Sequence, residues 1–277
     1  MAIDRPTAST RTHRAVTILD EIRAHKEQEI ADRQAERPIE DLIGACGSAT
    51  RGAAFGEALR AAAGADGVAL IAEIKRRSPA AGDLRPGADA VALGTSYVQA
   101  GSAAVSILTD HEFFSGSDAD LMALRARVSA PLLRKDFTIS TYQIYEARAL
   151  GADAILLILA MLTDDDVALF LDTADCLGLD AVIEAHSEEE VRRAVALRVP
   201  IIGVNNRDLA TFQTDLATTE RLRPLIPADV LVIAESGIGT CADVQRMLAA
   251  GAQAVLVGEA LVRASDPAAK VRELLGT

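Results

Sequence analysis

The chain has 277 residues, 50% of them hydrophobic, and its 28 basic and 40 acidic residues give a formal net charge of −12. The acidic balance argues against a nucleic-acid-binding surface, and 3% aromatic residues without tryptophan argue against a base-stacking platform. The longest apolar run, residues 154–162, is far shorter than the roughly 20 residues that a membrane span needs. We therefore expect a globular protein whose partner is a small molecule, with no nucleic acid and no membrane.

The amino terminus and the cysteines indicate the compartment. Residues 1–14 are polar and lack the apolar segment of a secretory signal, so we expect a flexible tail. Cys46, Cys176 and Cys241 show no CxxC or Cys–His spacing. The absence of such spacings argues against a zinc site, and three widely separated cysteines are typical of a reducing compartment. The expected location is the cytoplasm.

Helices are predicted ahead of the first strand. An amphipathic segment covers roughly residues 15–36 and ends before Pro38, and a second helix is expected at about 53–62. These helices are too short for a domain of their own. We expect residues 15–66 to form a helical extension that packs on the domain formed by residues 67–277 and covers one end of it.

Eight short apolar runs follow. They occupy residues 68–74, 103–109, 131–136, 154–159, 179–185, 200–206, 230–236 and 253–259. Runs that are apolar almost throughout are typical of parallel strands buried on both faces. Segments with helical spacing lie between them, many starting at Ser, Thr or Asp and ending at Gly. Repeated strand–helix alternation predicts an α/β fold, a single (β/α)₈ TIM barrel. A doubly wound open sheet is disfavoured because no GxGxxG follows the first run.

Polar residues interrupt the apolar pattern where these runs end. In barrels of this type the catalytic side chains lie at the carboxyl ends of the strands, which all meet at one mouth. The residues found there are Glu73, Lys75, Lys135, Glu184, Asn205, Arg207, Glu235 and Ser236. Any one of them could form an ordinary ion pair at the rim. Burying so many charges together is costly unless the chemistry uses them, so the set indicates an active site.

Two glycine-containing turns follow the last two runs, at Ser236-Gly237-Ile238-Gly239 and Gly258-Glu259. Backbone N–H groups at such turns and at a helix start can bind phosphate, and these are the positions where (β/α)₈ barrels often do so. His186 follows Glu184 by two positions and could shuttle protons, but a histidine just past a strand end is more often a solvated loop residue.

Several segments, in order, resemble the indole-3-glycerol phosphate synthase family. They are IAEIKRRSP (71–79), SILTDHEFFSGS (106–117), LLRKDF (132–137), GVNNRDL (203–209), AESGI (234–238) and VGEAL (257–261). The resemblance extends from about residue 16 to the carboxyl terminus and includes ILDEIRAHKEQEI (18–30) and FGEAL (55–59). Its most specific parts are the Glu-x-Lys…Ser-Pro segment and LRKDF.

The resemblance implies a carboxy-lyase of tryptophan biosynthesis. Its substrate would be 1-(2-carboxyphenylamino)-1-deoxyribulose 5-phosphate, and its products indole-3-glycerol phosphate, CO₂ and water, formed without metal or organic cofactor. We expect a monomer that self-associates weakly at most.

The resemblance also implies residue roles. Lys135 would be the general acid for ring closure, and Glu184 would do acid–base work. Glu73 and Lys75 would orient the substrate and serve dehydration, with Asn205 and Ser236 in support. The implied substrate-binding residues are Arg207 at the carboxylate, Glu235, the phosphate contacts Ser78, Gly237, Gly258 and Glu259 together with Lys75, and the ring contacts Leu108, Phe114 and Leu156.

Two positions depart from the family pattern. Ala80 follows Ser78-Pro79 where a serine is usual, and residues 183–186 read IEAH where VEVH is usual. Neither change removes a catalytic group. Two alternatives stay open at this point: a paralogue that acts on a modified anthranilate-derived substrate, and a non-catalytic barrel that binds a phosphate ligand.

Overall fold

The strands form a closed barrel in a computed structural model that describes residues 17–50, 52–65, 67–209 and 211–277. In chain order they are Ala69–Ile74 (β1), Arg77–Ser78 (β2), Gly82–Asp83 (β3), Ala104–Leu108 (β4), Leu132–Lys135 (β5), Ala154–Ile158 (β6), Asp180–Ala185 (β7), Ile201–Asn205 (β8), Leu231–Glu235 (β9) and Ala254–Val257 (β10). Strands β2 and β3 form a short antiparallel hairpin, and the other eight close a parallel barrel in the order β1-β10-β9-β8-β7-β6-β5-β4. The predicted (β/α)₈ barrel is confirmed. The predicted tail at residues 1–14 lies outside the described residues.

Helices connect the strands and cover the outside of the barrel. They are Ile18–Glu36 (α1), Ile39–Cys46 (α2), Phe55–Ala63 (α3), Ala90–Gln99 (α4), Asp118–Arg125 (α5), Thr141–Leu150 (α6), Asp164–Leu177 (α7), Glu188–Ala196 (α8), Ala217–Leu222 (α9), Cys241–Ala249 (α10), Glu259–Val262 (α11) and Pro267–Leu275 (α12), with a 3₁₀ turn at Arg223–Leu225. Helix α1 starts with a capping box in which Thr17 and Asp20 each accept a backbone N–H of the other. No helix in the described ranges has both the length and the apolar character needed to cross a membrane.

Strand alternation divides the side chains between the barrel interior and the surrounding helices. Along β5, Lys135 points to the mouth, whereas Arg134 points outward and donates to the Gln143 carbonyl on α6. Parallel pairing sets Asn205 level with Glu235 at the ends of β8 and β9. This register brings polar side chains from several strands to one level at the mouth.

The helices ahead of the barrel lie at opposite ends of it, so the expectation that they cover one end is wrong. Ile18 and Ile22 of α1 line the cavity at the carboxyl ends of the strands. In α3, by contrast, the Gly56 N–H donates to Asp180 at the start of β7, 2.9 Å away, and Phe55 is fully buried. Pro38 separates α1 from α2, a helix that the sequence did not predict, and the chain between α1 and α3 runs from one end of the barrel to the other.

Candidate active site

A cavity of about 500 Å³ opens at the carboxyl ends of the barrel strands. Every predicted site residue lines it: Glu73, Lys75, Ser78, Leu108, Phe114, Lys135, Leu156, Glu184, Asn205, Arg207, Glu235, Ser236, Gly237, Gly258 and Glu259. Other residues that line the cavity were not expected from the sequence, among them Ile18, Leu19 and Ile22 of α1 and Phe137 after β5. The structure thus brings the predicted set together, while the role of each member stays a prediction.

Lys135 lies between two carboxylates at the base of this cavity. Its Nζ is 3.3 Å from Oε2 of Glu184 and 3.2 Å from Oε2 of Glu235. Burial alone would lower the pKa of Lys135, but the carboxylates of Glu235, Glu184 and Glu73 outweigh burial and hold that pKa above its usual range. The preceding residue, Arg134, faces away from the cavity toward Glu146. Lys135 is therefore a protonated, charge-balanced ammonium.

Glu184 is held from two sides. Asn205 donates from Nδ2 to Oε1 of Glu184 at 3.2 Å, and Nε2 of His186 lies 3.2 Å from the same oxygen as an ion pair. The other ring nitrogen of His186 is 3.3 Å from Glu190. Burial would lower the pKa of His186, but the two carboxylates raise it to about 10. Burial would raise the pKa of Glu184, but the charges of Lys135 and His186 outweigh burial and lower it. The interpretation of His186 as a solvated loop residue is wrong, because both ring nitrogens face carboxylates.

Glu235 differs from Glu184 in its protonation. It is 1% exposed, and burial together with the nearby charges of Glu184 and Glu73 raises its pKa to about 7 despite the opposing attraction of Lys135. Room for this carboxylate comes from Gly203 on the neighbouring strand β8, because a Cβ there would lie 2.3 Å from Oε1 of Glu235. Glu184 therefore stays ionised in this cavity, whereas Glu235 titrates near neutrality.

Glu73 and Lys75 form an ion pair on the opposite side of the cavity. Their Oε1 and Nζ atoms are 2.8 Å apart, and Ser106 donates to the other oxygen of Glu73 at 3.4 Å. Burial would raise the pKa of Glu73, but Lys75 and Lys135 lower it. Gly258 permits the close approach of the carboxylate, because a Cβ there would lie 2.6 Å from Oε1 of Glu73.

The loops predicted to bind phosphate border the same cavity. Ser236 has φ +67° and Gly237 has φ +79°, so two consecutive residues after β9 adopt the left-handed region. Gly258 precedes the short helix α11. In the loop after β1, the Ser78 hydroxyl accepts from the Ala81 N–H at 3.1 Å. These backbone positions lie together at one side of the mouth, and their binding of phosphate stays a prediction.

Apolar side chains line another part of the cavity. Leu108, Phe114 and Leu156 belong to this part, and Phe114 packs against Phe137 with ring centroids 5.9 Å apart. Leu19 of α1 also lines the cavity. This apolar region can accommodate an aromatic ring. Among the described residues, no cluster of three or more His, Cys, Asp or Glu side chains is arranged to hold a metal ion.

Sequence comparisons place the chain in a family. The family model described as indole-3-glycerol phosphate synthase matches residues 19–274. An indole-3-glycerol phosphate synthase of Opitutus terrae is 48% identical over 260 residues, covering 92% of this chain and 97% of that protein. An indole-3-glycerol phosphate synthase of Hyphomonas neptunium is 46% identical over 247 residues, covering 89% of this chain and 93% of that protein.

Solved structures of other enzymes share the fold. A chain of the tryptophan synthase complex from Pyrococcus furiosus matches with a TM-score of 0.56 and 18% identity, covering 76% of this chain and 98% of that one. The 3-hexulose-6-phosphate synthase of Salmonella typhimurium matches with a TM-score of 0.62 and 13% identity, covering 76% and 97%. Identities this low show the barrel fold alone. From the family model and relatives 46–48% identical, the chain belongs to the indole-3-glycerol phosphate synthase family.

Proposed function

We propose that this chain converts 1-(2-carboxyphenylamino)-1-deoxyribulose 5-phosphate into indole-3-glycerol phosphate, CO₂ and water, as a carboxy-lyase of tryptophan biosynthesis. The observation that carries the residue roles is the Lys135 ammonium, 3.3 Å from Glu184 and 3.2 Å from Glu235 in a cavity that also has an apolar wall. A barrel that only binds a phosphate ligand has no use for three such charges, because their burial is costly. Neither alternative left open by the sequence has an observation in its favour.

Lys135 supplies the proton for ring closure. It protonates the ketone oxygen of the substrate while the ring carbon that carries the carboxylate attacks the ketone carbon, so the oxygen becomes a hydroxyl. The substrate nitrogen gains iminium character in this step. The carboxylates of Glu184 and Glu235 offset that positive charge inside a site of low dielectric constant. Loss of CO₂ then returns the bonding electrons to the ring system.

Dehydration completes the indole ring. The new hydroxyl leaves as water, which requires an acid at the oxygen and a base for the proton on the neighbouring carbon. Glu184, oriented by Asn205, acts as the base. Lys75, paired with Glu73, protonates the leaving hydroxyl. Ser236 supports the polar side of the cavity.

Substrate binding uses the remaining cavity residues. Leu108, Phe114 and Leu156 contact the anthranilate ring, and Arg207 receives its carboxylate. The phosphate contacts are Lys75, Ser78, Gly237, Gly258 and the backbone of Glu259, and Glu235 lies on the polar side of the bound substrate. Members of this family act on a phosphorylated small molecule. We place the enzyme in the cytoplasm as a monomer without metal or organic cofactor, with residues 15–66 as the helical extension and 67–277 as the barrel.

The test is turnover of the carboxyphenylamino-deoxyribulose phosphate in EDTA, followed by indole fluorescence. Lys135→Met should lower kcat by about 10²- to 10⁴-fold, the usual contribution of a general acid, and leave KM within a few-fold. The matched control is Lys270→Met, because Lys270 pairs with Glu273 on α12, away from the cavity lining, and should leave kcat unchanged. No fluorescence rise with the wild-type protein would refute the proposed reaction. A change in KM alone for Lys135→Met would refute the role of Lys135.

A further inference from the structure

Helix α1 is joined to the barrel by a lysine whose side chain is 0% exposed. The Nζ of Lys26 lies 2.8 Å from Glu29 on its own helix, and 2.9 Å from both Asp110 and Asp136 on the barrel. A buried ammonium is costly unless it is fully paired, and removal of one partner leaves an uncompensated charge. Lys26 takes no part in the proposed reaction, so its two contacts with the barrel need another explanation.

The first contact fixes the residue next to Lys135. Asp136 follows Lys135 directly, and its Oδ1 pairs with Lys26 and accepts the N–H of Phe137 at 2.8 Å. Its Oδ2 accepts the Thr109 hydroxyl at 2.5 Å and lies 3.6 Å from Arg134. Burial would raise the pKa of Asp136, but Lys26 and Arg134 lower it, so this carboxylate stays ionised. The backbone just after Lys135 is thereby held through a charged side chain.

The second contact fixes the turn that carries Phe114. Asp110 lies two residues after β4, and its Oδ1 accepts the N–H groups of Phe113 at 2.7 Å and Phe114 at 3.2 Å. Its other oxygen, Oδ2, is the one paired with Lys26. The ammonium therefore orients the carboxylate that shapes the turn, and the turn places Phe114 on the apolar wall of the cavity.

We propose that Lys26 is a positioning residue for the reaction: one buried ammonium aligns both the strand end that carries Lys135 and the turn that carries Phe114. The inference rests on the proposed function, since it assumes that Lys135 and Phe114 act on the substrate. The two contacts of Lys26 affect different kinetic constants. Contact with Asp136 serves kcat through Lys135, and contact with Asp110 serves KM through the aromatic wall.

Arg33 provides a matched control on the same helix. Its guanidinium forms ion pairs of 2.8, 2.5 and 2.8 Å with Glu29, Asp118 and Glu146, so it also joins α1 to the barrel. It contacts neither Asp110 nor Asp136 in these pairs. Arg134 keeps its own contacts with Asp118 and Glu146 when Arg33 is removed. Arg33→Met should therefore weaken helix docking without disturbing the two proposed alignments.

The experiment compares kcat, KM and the urea midpoint of wild type, Lys26→Met and Arg33→Met with the carboxyphenylamino-deoxyribulose phosphate. Misplacement of a reacting group by about 1 Å can cost on the order of 10²-fold in rate, so kcat of Lys26→Met should fall by about that factor, with a raised KM. Arg33→Met should lose stability while keeping kcat within about threefold of wild type. Equal changes in kcat and KM for the two variants would overturn the proposal, as would wild-type kcat in folded Lys26→Met.

A double variant separates the two contacts and guards against misfolding. Lys26→Met with Asp110→Asn leaves one fewer unpaired buried carboxylate, and the asparagine oxygen can still accept the Phe113 and Phe114 N–H groups. We expect KM near the wild-type value with kcat still low. Recovery of kcat would refute the Asp136 contact as the cause.

If no Lys26 variant folds, including the charge-keeping Lys26→Arg, the role of Lys26 is structural only and the proposal fails. An inactive wild-type protein would instead refute the proposed function itself.

Discussion

Gly203→Ala tests the arrangement of the barrel interior with a single methyl group. Gly203 lies in β8, and a Cβ at this position would be 2.3 Å from Oε1 of Glu235 and 3.2 Å from Val182. Ordinary contact begins at 3.4 Å, so the Glu235 carboxylate must move by about 1 Å. That carboxylate is 3.2 Å from Lys135, and its displacement changes the surroundings of the proposed acid.

Gly203→Ala should lower both the stability of the protein and its turnover rate. Overpacking of a well-packed interior typically costs about 1–3 kcal/mol, so the free energy of unfolding should fall by that amount. A shift of about 1 Å at a reacting group can lower the rate on the order of 10²-fold, and kcat should fall accordingly. The measurements are urea denaturation and steady-state turnover. Gly47→Ala is the control outside the cavity, because its Cβ would meet nothing within 4 Å, and it should leave kcat unchanged and cause no loss of stability.

A double-mutant cycle identifies the atom responsible. In a Glu235→Ala background the carboxylate is absent, so adding Gly203→Ala should cost little further stability. The reasoning is refuted if the stability cost is the same in both backgrounds, or if Gly203→Ala alone keeps the wild-type kcat.

Two further predictions concern stability. Gly44 lies inside helix α2 and a Cβ there would meet nothing within 4 Å, so Gly44→Ala should stabilise the protein by about 0.5–1 kcal/mol in thermal or urea unfolding; a loss of stability would contradict this. The pKa of His186 is raised from 6.5 to about 10, so its charge stabilises the fold fully below pH 6.5 and this contribution is lost as the pH rises through 10. The stability difference between wild type and His186→Gln should thus be largest at pH 6 and shrink toward pH 10, and a difference that grows with pH would contradict the assignment.

The barrel and the polar residues at its strand ends could be predicted from local pattern, whereas Ser78, Leu108, Phe114 and Leu156 were expected only from the family resemblance. Apolar runs buried on both faces identify parallel strands, and a polar residue at the end of such a run lies at the mouth when its side chain points into the barrel. Glu73 and Lys75 illustrate the rule, since residues two apart in an extended segment share a side, and the two form an ion pair. His186 carried the same signal. It lies two positions after Glu184, and the acidic run beginning at 188 supplied its second partner, Glu190.

Other features depend on contacts that local pattern does not contain. The position of α1 at the mouth depends on long-range ion pairs such as those of Lys26, whose partners Asp110 and Asp136 are more than 80 residues away in sequence. Amphipathic spacing shows that α1 packs, but not on which end of the barrel. The role of Gly203 likewise depends on how far the Glu235 side chain reaches across from the neighbouring strand. A glycine in a strand indicates that another group lies close to the backbone, but it does not identify that group.

The charge state of Lys135 leads to a last prediction. A general acid must be protonated, so kcat/KM is lost as the pH rises through its pKa, and the raised pKa of Lys135 puts that loss above the usual lysine range in the wild type. Above pH 7, where Glu235 is ionised, Lys135 faces carboxylates on both sides. Glu235→Gln removes one of these charges 3.2 Å away, so the pKa of Lys135 should fall.

Wild-type kcat/KM should therefore stay flat up to pH 10.5, whereas in Glu235→Gln the descending limb should move to lower pH by roughly one unit or more and approach this range. The matched control is Glu220→Gln, because Glu220 pairs with Arg246 on the surface and does not line the cavity. It should leave the profile unchanged. A profile in Glu235→Gln as flat as that of the wild type would refute either Lys135 as the acid or Glu235 as the group that holds its proton. A descending limb that persists when Lys135→Met is added to Glu235→Gln, measured on residual activity, would assign the titration to a group other than Lys135.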